Sequence, residues 1–210
     1  MTDQNKRSRG RFIVFEGTDG SGKSTHAARL RDAISASTGR RCLLEREPDS
    51  RNIIGAVIRT ALYGNVKVNS ESMAYLHVAD RLEHIAYMLP LLESGCDIVC
   101  DRYYISNMAY NASETISVAD VYALNRPCAE KLSPDLVIFL DVTPEETARR
   151  RAGDRTDTEI YDAYEKQAKI RRNYHEALDL IEKDGVKVVR IDAARPKEEV
   201  AADIRAAVGI

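Results

Sequence analysis

Eight consecutive residues, Gly17-Thr18-Asp19-Gly20-Ser21-Gly22-Lys23-Ser24, restrict what this chain can fold into more than any other stretch. They follow Arg11-Phe12-Ile13-Val14-Phe15-Glu16, a short apolar run suited to a buried parallel strand. They precede Thr25 to Ile34, where Ala27, Leu30, Ala33 and Ile34 recur at helical spacing. The octet therefore fits G-x-x-x-x-G-K-[ST] in a strand, turn, helix context. Glycines let the backbone wrap close to phosphate oxygens, so that successive N–H groups face the anion, and the helix N-terminus adds partial positive charge. Gly17 to Thr25 is expected to hold the phosphates of a nucleoside triphosphate. Lys23 is placed near the β- and γ-phosphates, and the Ser24 hydroxyl is an expected Mg²⁺ ligand. The loop implies a nucleoside triphosphate; it does not name the group that receives the phosphate.

The rest of the chain bounds the answer. With 210 residues it is long enough for one domain with a sizeable core. A net charge of -2 argues against a general nucleic-acid binder. No stretch is long and apolar enough to span a membrane. Met1 to Gly10 is polar and lacks the apolar centre of a secretory signal, so it reads as a disordered tail, with a single domain over 11–210. Cys42, Cys96, Cys100 and Cys128 are scattered; the first three lie in or beside expected strands and read as buried reduced thiols, which points to the cytoplasm.

Along the chain, apolar strands at Phe12–Glu16, Arg41–Arg46, Asp97–Asp101, Leu136–Leu140 and Val186–Ile191 alternate with helical segments. The longest helix, Ser70 to about Glu93, carries an apolar stripe of Met73, Leu76, Ala79, Leu82, Ile85, Ala86, Leu89 and Leu92, with a kink expected at Pro90. Further helices are expected at about Asn52–Leu62, Val118–Lys131, Glu159–Lys183 and Pro196–Val208. Thr143 and Pro144 fit the cap and first position of another. This pattern implies an α/β fold of three layers, α/β/α, around a five-stranded parallel sheet. Ligands of such sheets sit beyond the carboxyl ends of the strands. Asp19, Glu47, Asp101 and Asp141 follow strands at those ends and should share one rim. Asp101 would help hold Mg²⁺ through water, while Arg102, expected on the opposite side of the strand, could bind a second phosphate through a bidentate fork.

The string Val99-Cys100-Asp101-Arg102-Tyr103-Tyr104-Ile105-Ser106-Asn107-Met108-Ala109-Tyr110-Asn111 resembles the signature of the thymidylate kinases. Phe15 to Thr25, Arg46-Glu47-Pro48, Ala79-Asp80-Arg81 and Ser133 to Glu145 resemble other segments of that family. The resemblance implies the nucleoside monophosphate kinase-like P-loop fold and transfer of the γ-phosphoryl group of ATP·Mg²⁺ to dTMP, giving dTDP and ADP. It also implies roles. Arg102 would hold the phosphate of dTMP, Arg81 the base, with Asn107 adding a contact and Ser106 in the same set. Tyr110 would pack where a ribose 2′-hydroxyl would go, Asp19 would accept from the 3′-hydroxyl, and Tyr161 would belong to the lid. Family members are usually homodimers, which makes the long helix a candidate interface.

The resemblance implies a lid at about 145–160, a stretch that carries Arg149, Arg150, Arg151 and Arg155. Thymidylate kinases place a catalytic arginine either in the phosphate loop or in the lid; the loop here has none, so the resemblance implies that the lid supplies it, with Arg149, Arg151 and Arg155 favoured. Two positions depart from the family's pattern. His77 stands where a phenylalanine usually stacks on thymine, and after strand two, where many members place an arginine on the acceptor phosphate, Ser50-Arg51 leaves open which register brings Arg51 there. His77 and His84 share a helix face, but with no third ligand nearby a zinc site is disfavoured. Two alternatives remain open: another acceptor, such as dUMP, UMP or an unphosphorylated nucleoside, and a nucleotide-dependent switch with no small-molecule acceptor.

Overall fold

The computed structural model describes residues 9–64, 66–151 and 157–210. The elements run β1 (Phe12–Glu16), α1 (Lys23–Thr38), β2 (Cys42–Arg46), α2 (Ile53–Leu62), α3 (Ser70–Glu93), β3 (Asp97–Asp101), α4 (Tyr104–Asn111), α5 (Val118–Lys131), β4 (Leu136–Asp141), α6 (Pro144–Arg151), α7 (Asp157–Lys183), β5 (Val188–Asp192) and α8 (Lys197–Val208). The strands form one parallel sheet in the order β2-β3-β1-β4-β5. This is the expected fold class.

Strand alternation divides the core in two. Phe12 and Val14 of β1, Ile98 and Cys100 of β3, and Val137 and Phe139 of β4 face a cluster built with α3, α4, α5 and α7. Ile13, Phe15, Val99, Ile138 and Leu140 face the other side, where α1 and α8 supply Leu30, Ile34, Val200 and Ile204. Because both faces are covered, β1 is buried throughout and reads as an apolar run from Phe12 to Phe15, closed by the buried acid Glu16. The order β2-β3-β1-β4 puts β1 between β3 and β4, so the loop after β1 emerges at the middle of the sheet's carboxyl edge.

Three local expectations change. α4 is an addition to the expected elements: it is only eight residues long, six of them buried, and Ser106 and Tyr110 alone are partly exposed, so it offers little polar face to mark it as a helix. α3 spans the expected residues and runs on past Pro90, but its buried face is not purely apolar: Asp80, Arg81 and His84 lie on it beside Met73, Ile85, Met88 and Leu92, while Ala86 is exposed. β3 ends at Asp101, and Arg102 leaves it with φ 75, so strand alternation does not set the direction of the Arg102 side chain. The tail at 1–8 and lid residues 152–156 lie outside the described residues.

Candidate active site

The phosphate loop takes the shape its glycines allow. Gly17, Gly20 and Gly22 all have positive φ. A Cβ at Gly17 would lie 2.5 Å from the Leu140 carbonyl oxygen, so the close approach of β1 to β4 also demands glycine there. Lys23 begins α1 with its side chain almost wholly buried, and its ammonium donates to the Thr18 carbonyl at 2.7 Å. Burial, and then the nearby Arg102 cation, pull its pKa down to about 7. Ser24 Oγ donates to Asp101 Oδ2 at 2.5 Å, while Asp101 Oδ1 is buried with no hydrogen-bond partner among the described residues. A hydroxyl and a carboxylate at the edge of a phosphate loop, with one carboxylate oxygen unpartnered, form an all-oxygen set that fits Mg²⁺.

Beside the loop lies a cleft of about 800 Å³ between the β2–α2 segment, α3 and α4. Asp19, Arg51, His77, Arg81, Arg102, Ser106, Asn107 and Tyr110 all line it, although they are drawn from four separate stretches of the chain. Arg102 sits at the junction with the phosphate loop. Its guanidinium pairs with Asp19, donates to Ser106 Oγ at 3.1 Å and to Tyr174 Oη at 3.3 Å, and lies 5.0 Å from the Tyr110 ring centroid. A non-glycine residue at positive φ stores strain on the order of 1–3 kcal/mol, and its surroundings must hold it there. Glu16 does so. Its Oε1 accepts from the backbone N–H of Tyr103 (2.8 Å) and Ser106 (3.2 Å), and its Oε2 accepts from Ser106 Oγ at 2.5 Å. Burial pushes Glu16 up to about 7 despite these bonds.

At the far end of the cleft Arg81 is buried. It donates to Asn125 Oδ1 at 2.6 Å and to Glu47 Oε2 at 2.5 Å, and its Nε has no hydrogen-bond partner among the described residues. Asn107 donates to the Ala74 carbonyl and accepts from Asn111, which fixes its amide orientation. Burial, then Arg81, lower His77 to about 4, so the ring facing the cleft is neutral near pH 7. Arg51 donates to Asp49 Oδ1 at 2.9 Å and Glu45 Oε2 at 2.6 Å, and lies over the Tyr87 ring at 3.8 Å. Both ring nitrogens of His84 face carboxylates.

The family model described as thymidylate kinase matches residues 15–204. The chain belongs to the thymidylate kinase family. It is 34% identical to a thymidylate kinase of Caldicellulosiruptor saccharolyticus over 203 residues, covering 94% of this chain and 95% of that protein. It is 33% identical to a probable thymidylate kinase of Pyrococcus abyssi, covering 95% and 96%, and 32% identical to a thymidylate kinase of Schizosaccharomyces pombe, covering 95% and 91%.

Among thymidylate kinase residues named from sequence, Asp141 pairs with Arg171 of α7 rather than facing the phosphate loop with Asp101. Of the lid arginines, Arg149 is exposed and paired with Glu146. Arg150 reaches further: it donates to the Gly20 carbonyl of the phosphate loop at 3.2 Å and to the Ala193 carbonyl at 2.7 Å. The side chains of Arg151 and Tyr161, and all of Arg155, lie outside the described residues. Sequence reasoning missed Glu16 as the brace of Arg102. The available signal was an acid ending an otherwise apolar strand.

Proposed function

We propose that this thymidylate kinase family member carries dTMP in the cleft beside the phosphate loop and ATP on the loop itself, and transfers the γ-phosphoryl group in line to give dTDP and ADP. The supporting observation is the Arg102 junction: one cation touches the loop residue Asp19, Ser106 and the Tyr110 ring at once, where the two nucleotides would meet. Lys23 and the loop amides would hold the donor phosphates, and Arg102 the acceptor phosphate. Ser24 and Asp101 would hold Mg²⁺, which when bound neutralises phosphate charge. Arg81 and Asn107 would read the base, with neutral His77 against its face. Tyr110 would fill the space of a 2′-hydroxyl, Asp19 would accept from the 3′-hydroxyl, and Arg51 would stand at the cleft's outer wall. A lid near 145–160, with Tyr161 and an arginine among Arg149, Arg151 and Arg155, would close over the reaction and exclude water.

The same reading treats residues 11–210 as one catalytic domain. It makes the active form a homodimer, supported by exposed Tyr75 and Tyr87 on α3 and Ile53 and Val57 on α2. It places the enzyme in the cytoplasm, supported by four free, buried cysteines. Among the described residues, no helix is long and apolar enough to cross a membrane. The test is ADP release from ATP·Mg²⁺ with dTMP, dUMP, UMP, CMP, AMP, thymidine or no acceptor. Release with dTMP well above all others is expected. Equal release without acceptor would overturn phosphoryl transfer to a nucleotide, and comparable release with UMP would overturn the role given to Tyr110.

A further inference from the structure

We propose that His84 is a positioning residue that sets the spacing of two acceptor-cleft arginines, Arg51 and Arg81, by holding the carboxylates of Glu45 and Glu47 on opposite sides of its ring. The inference rests on the reading of the cleft as the dTMP site.

His84 is fully buried on α3. Its Nδ1 lies 3.2 Å from Glu47 Oε1 and its Nε2 3.2 Å from Glu45 Oε2. A neutral imidazole has one N–H, so one of those contacts would set a ring lone pair against a carboxylate; two N–H donors satisfy both. The geometry therefore calls for the imidazolium. Burial works against that charge, and the hydrogen bonds to Glu45 and Glu47 outweigh it, lifting the ring to about 9. The other charged groups around the ring are Asp49 and Arg51 from the β2–α2 segment and Arg81 from α3 itself.

Each carboxylate in turn holds one arginine: Glu45 accepts from Arg51 at 2.6 Å and Glu47 from Arg81 at 2.5 Å. The result is a ladder of alternating charge, Arg51, Glu45, His84, Glu47, Arg81, whose two ends line the cleft. The backbone around it is pinned by the same helix. Asp80, one turn before His84, accepts from the Asp49 N–H at 3.0 Å and from Asn52 Nδ2 at 2.9 Å. Without the ring, two buried carboxylates would face each other with no cation between them. They would splay or take up a proton, and each would carry its arginine with it. The structure thus assigns to His84 an effect on acceptor binding although it does not line the cleft.

The test uses the full-length enzyme and compares the wild type, His84→Gln, Arg51→Gln and the double variant in steady-state kinetics and in calorimetric titration with dTMP. His84→Gln is expected to raise KM and Kd for dTMP about tenfold, with KM for ATP within about twofold of wild type. Arg51→Gln should weaken dTMP binding in the wild-type background and add little in the His84→Gln background, because the arginine is already misplaced there. Additive effects, or an unchanged KM for dTMP in His84→Gln, would overturn the proposal. If His84→Gln does not fold, Glu45→Gln decides: it cuts the ladder at the Arg51 end and leaves His84, Glu47 and Arg81 in place, so a raised KM for dTMP supports the proposal and an unchanged one overturns it. A wild type that binds no dTMP would overturn the cleft assignment and the inference with it, whereas a wild type that binds dTMP beside an unaltered His84→Gln overturns the inference alone.

Discussion

Gly55, in the first turn of α2, offers a direct test of how closely the β2–α2 segment is fitted to the cleft. A Cβ built on it would lie 1.8 Å from the Asp49 carbonyl oxygen and 2.9 Å from Asp80 Oδ1. The nearer atom belongs to the backbone and cannot rotate away, so in Gly55→Ala the segment carrying Asp49 and Arg51 must retreat by about 1 Å or more. That carbonyl also accepts from Arg59 at 3.0 Å, and the Asp49 N–H is bonded to Asp80, so the displacement strains both bonds. Overpacking of this kind costs up to about 3 kcal/mol, and replacing glycine by alanine in a helix returns about 1 kcal/mol. The net loss is about 2 kcal/mol, which in a chain of this size lowers Tm by roughly 4–8 °C. A shift of about 1 Å in a substrate-positioning segment lowers kcat/KM by up to about 10²-fold. The loss should fall on dTMP, with ATP binding intact, because the phosphate loop lies across the sheet edge. Thermal melts, dTMP-dependent ADP release and ATP titration read the three quantities. A Gly55→Ala enzyme with a Tm within about 1 °C of wild type and an unaltered KM for dTMP would refute the reasoning.

Arg102→Ala and Arg102→Gly should both lower kcat/KM for dTMP at least about 10²-fold, but the glycine variant should melt higher by roughly 2–4 °C, because only glycine occupies φ 75 without the penalty of about 1 kcal/mol that a Cβ brings. Equal melting of the two would show that the backbone at 102 is unstrained. With Lys23 at about 7, some nine-tenths of it is uncharged at pH 8, so ATP·Mg²⁺, whose phosphates favour the ammonium, should bind with uptake of about 0.9 proton; calorimetry in buffers of different ionisation enthalpy measures this. Lys23→Arg, which cannot titrate, should bind without uptake, and wild-type uptake near zero would contradict a depressed Lys23. His84 rises from 6.5 to about 9 on folding, so its stabilisation is complete below about pH 6.5 and is lost as pH rises through about 9. The difference in unfolding free energy between wild type and His84→Gln should therefore shrink by up to about 3 kcal/mol across that range, and a constant difference would mean that the ring is not an imidazolium.

What could be read from the sequence follows the range of the interactions. The phosphate loop is legible because its chemistry lies in eight adjacent residues flanked by a strand and a helix. The sheet is legible because β1, β3 and β4 are buried on both faces and read as apolar runs. Arg102 and Tyr110 can be found by motif, but the left-handed turn at Arg102 cannot, since Glu16, which braces it, lies some ninety positions earlier. The polar face of α3 was hidden for the same reason. Nothing local marks Asp80 and His84 as buried until their partners Asp49, Glu45 and Glu47 arrive from 31 to 39 positions away, and Arg81, which the resemblance assigns to the base, shows its pairing with Glu47 only in the fold. Nothing local in the run Arg149-Arg150-Arg151 tells which arginine reaches the Gly20 carbonyl; in the fold it is Arg150.

The two ends of the cleft also differ in how firmly their cations are held, and the difference suits two kinds of ligand group. Arg81 and Glu47 are both buried, at 1% and 2% side-chain exposure. Breaking that pair would leave an uncompensated charge inside the protein, so it stays closed when a ligand enters. Arg81 can then offer a base only the donors that Glu47 and Asn125 leave over, of which the unpartnered Nε is one. The Arg102–Asp19 pair is different: Asp19 is 48% exposed and Arg102 16%. Water can take over the Asp19 carboxylate as the pair opens, so exchanging it for a dianionic phosphate costs little and gains a doubly charged partner. Under the proposed reading, the exposed pair is the one that exchanges partners each time an acceptor binds, and the buried pair is the fixed template against which the base is read. On the same reading, opening of the pair by the acceptor phosphate would leave Asp19 free to take the 3′-hydroxyl of the same nucleotide.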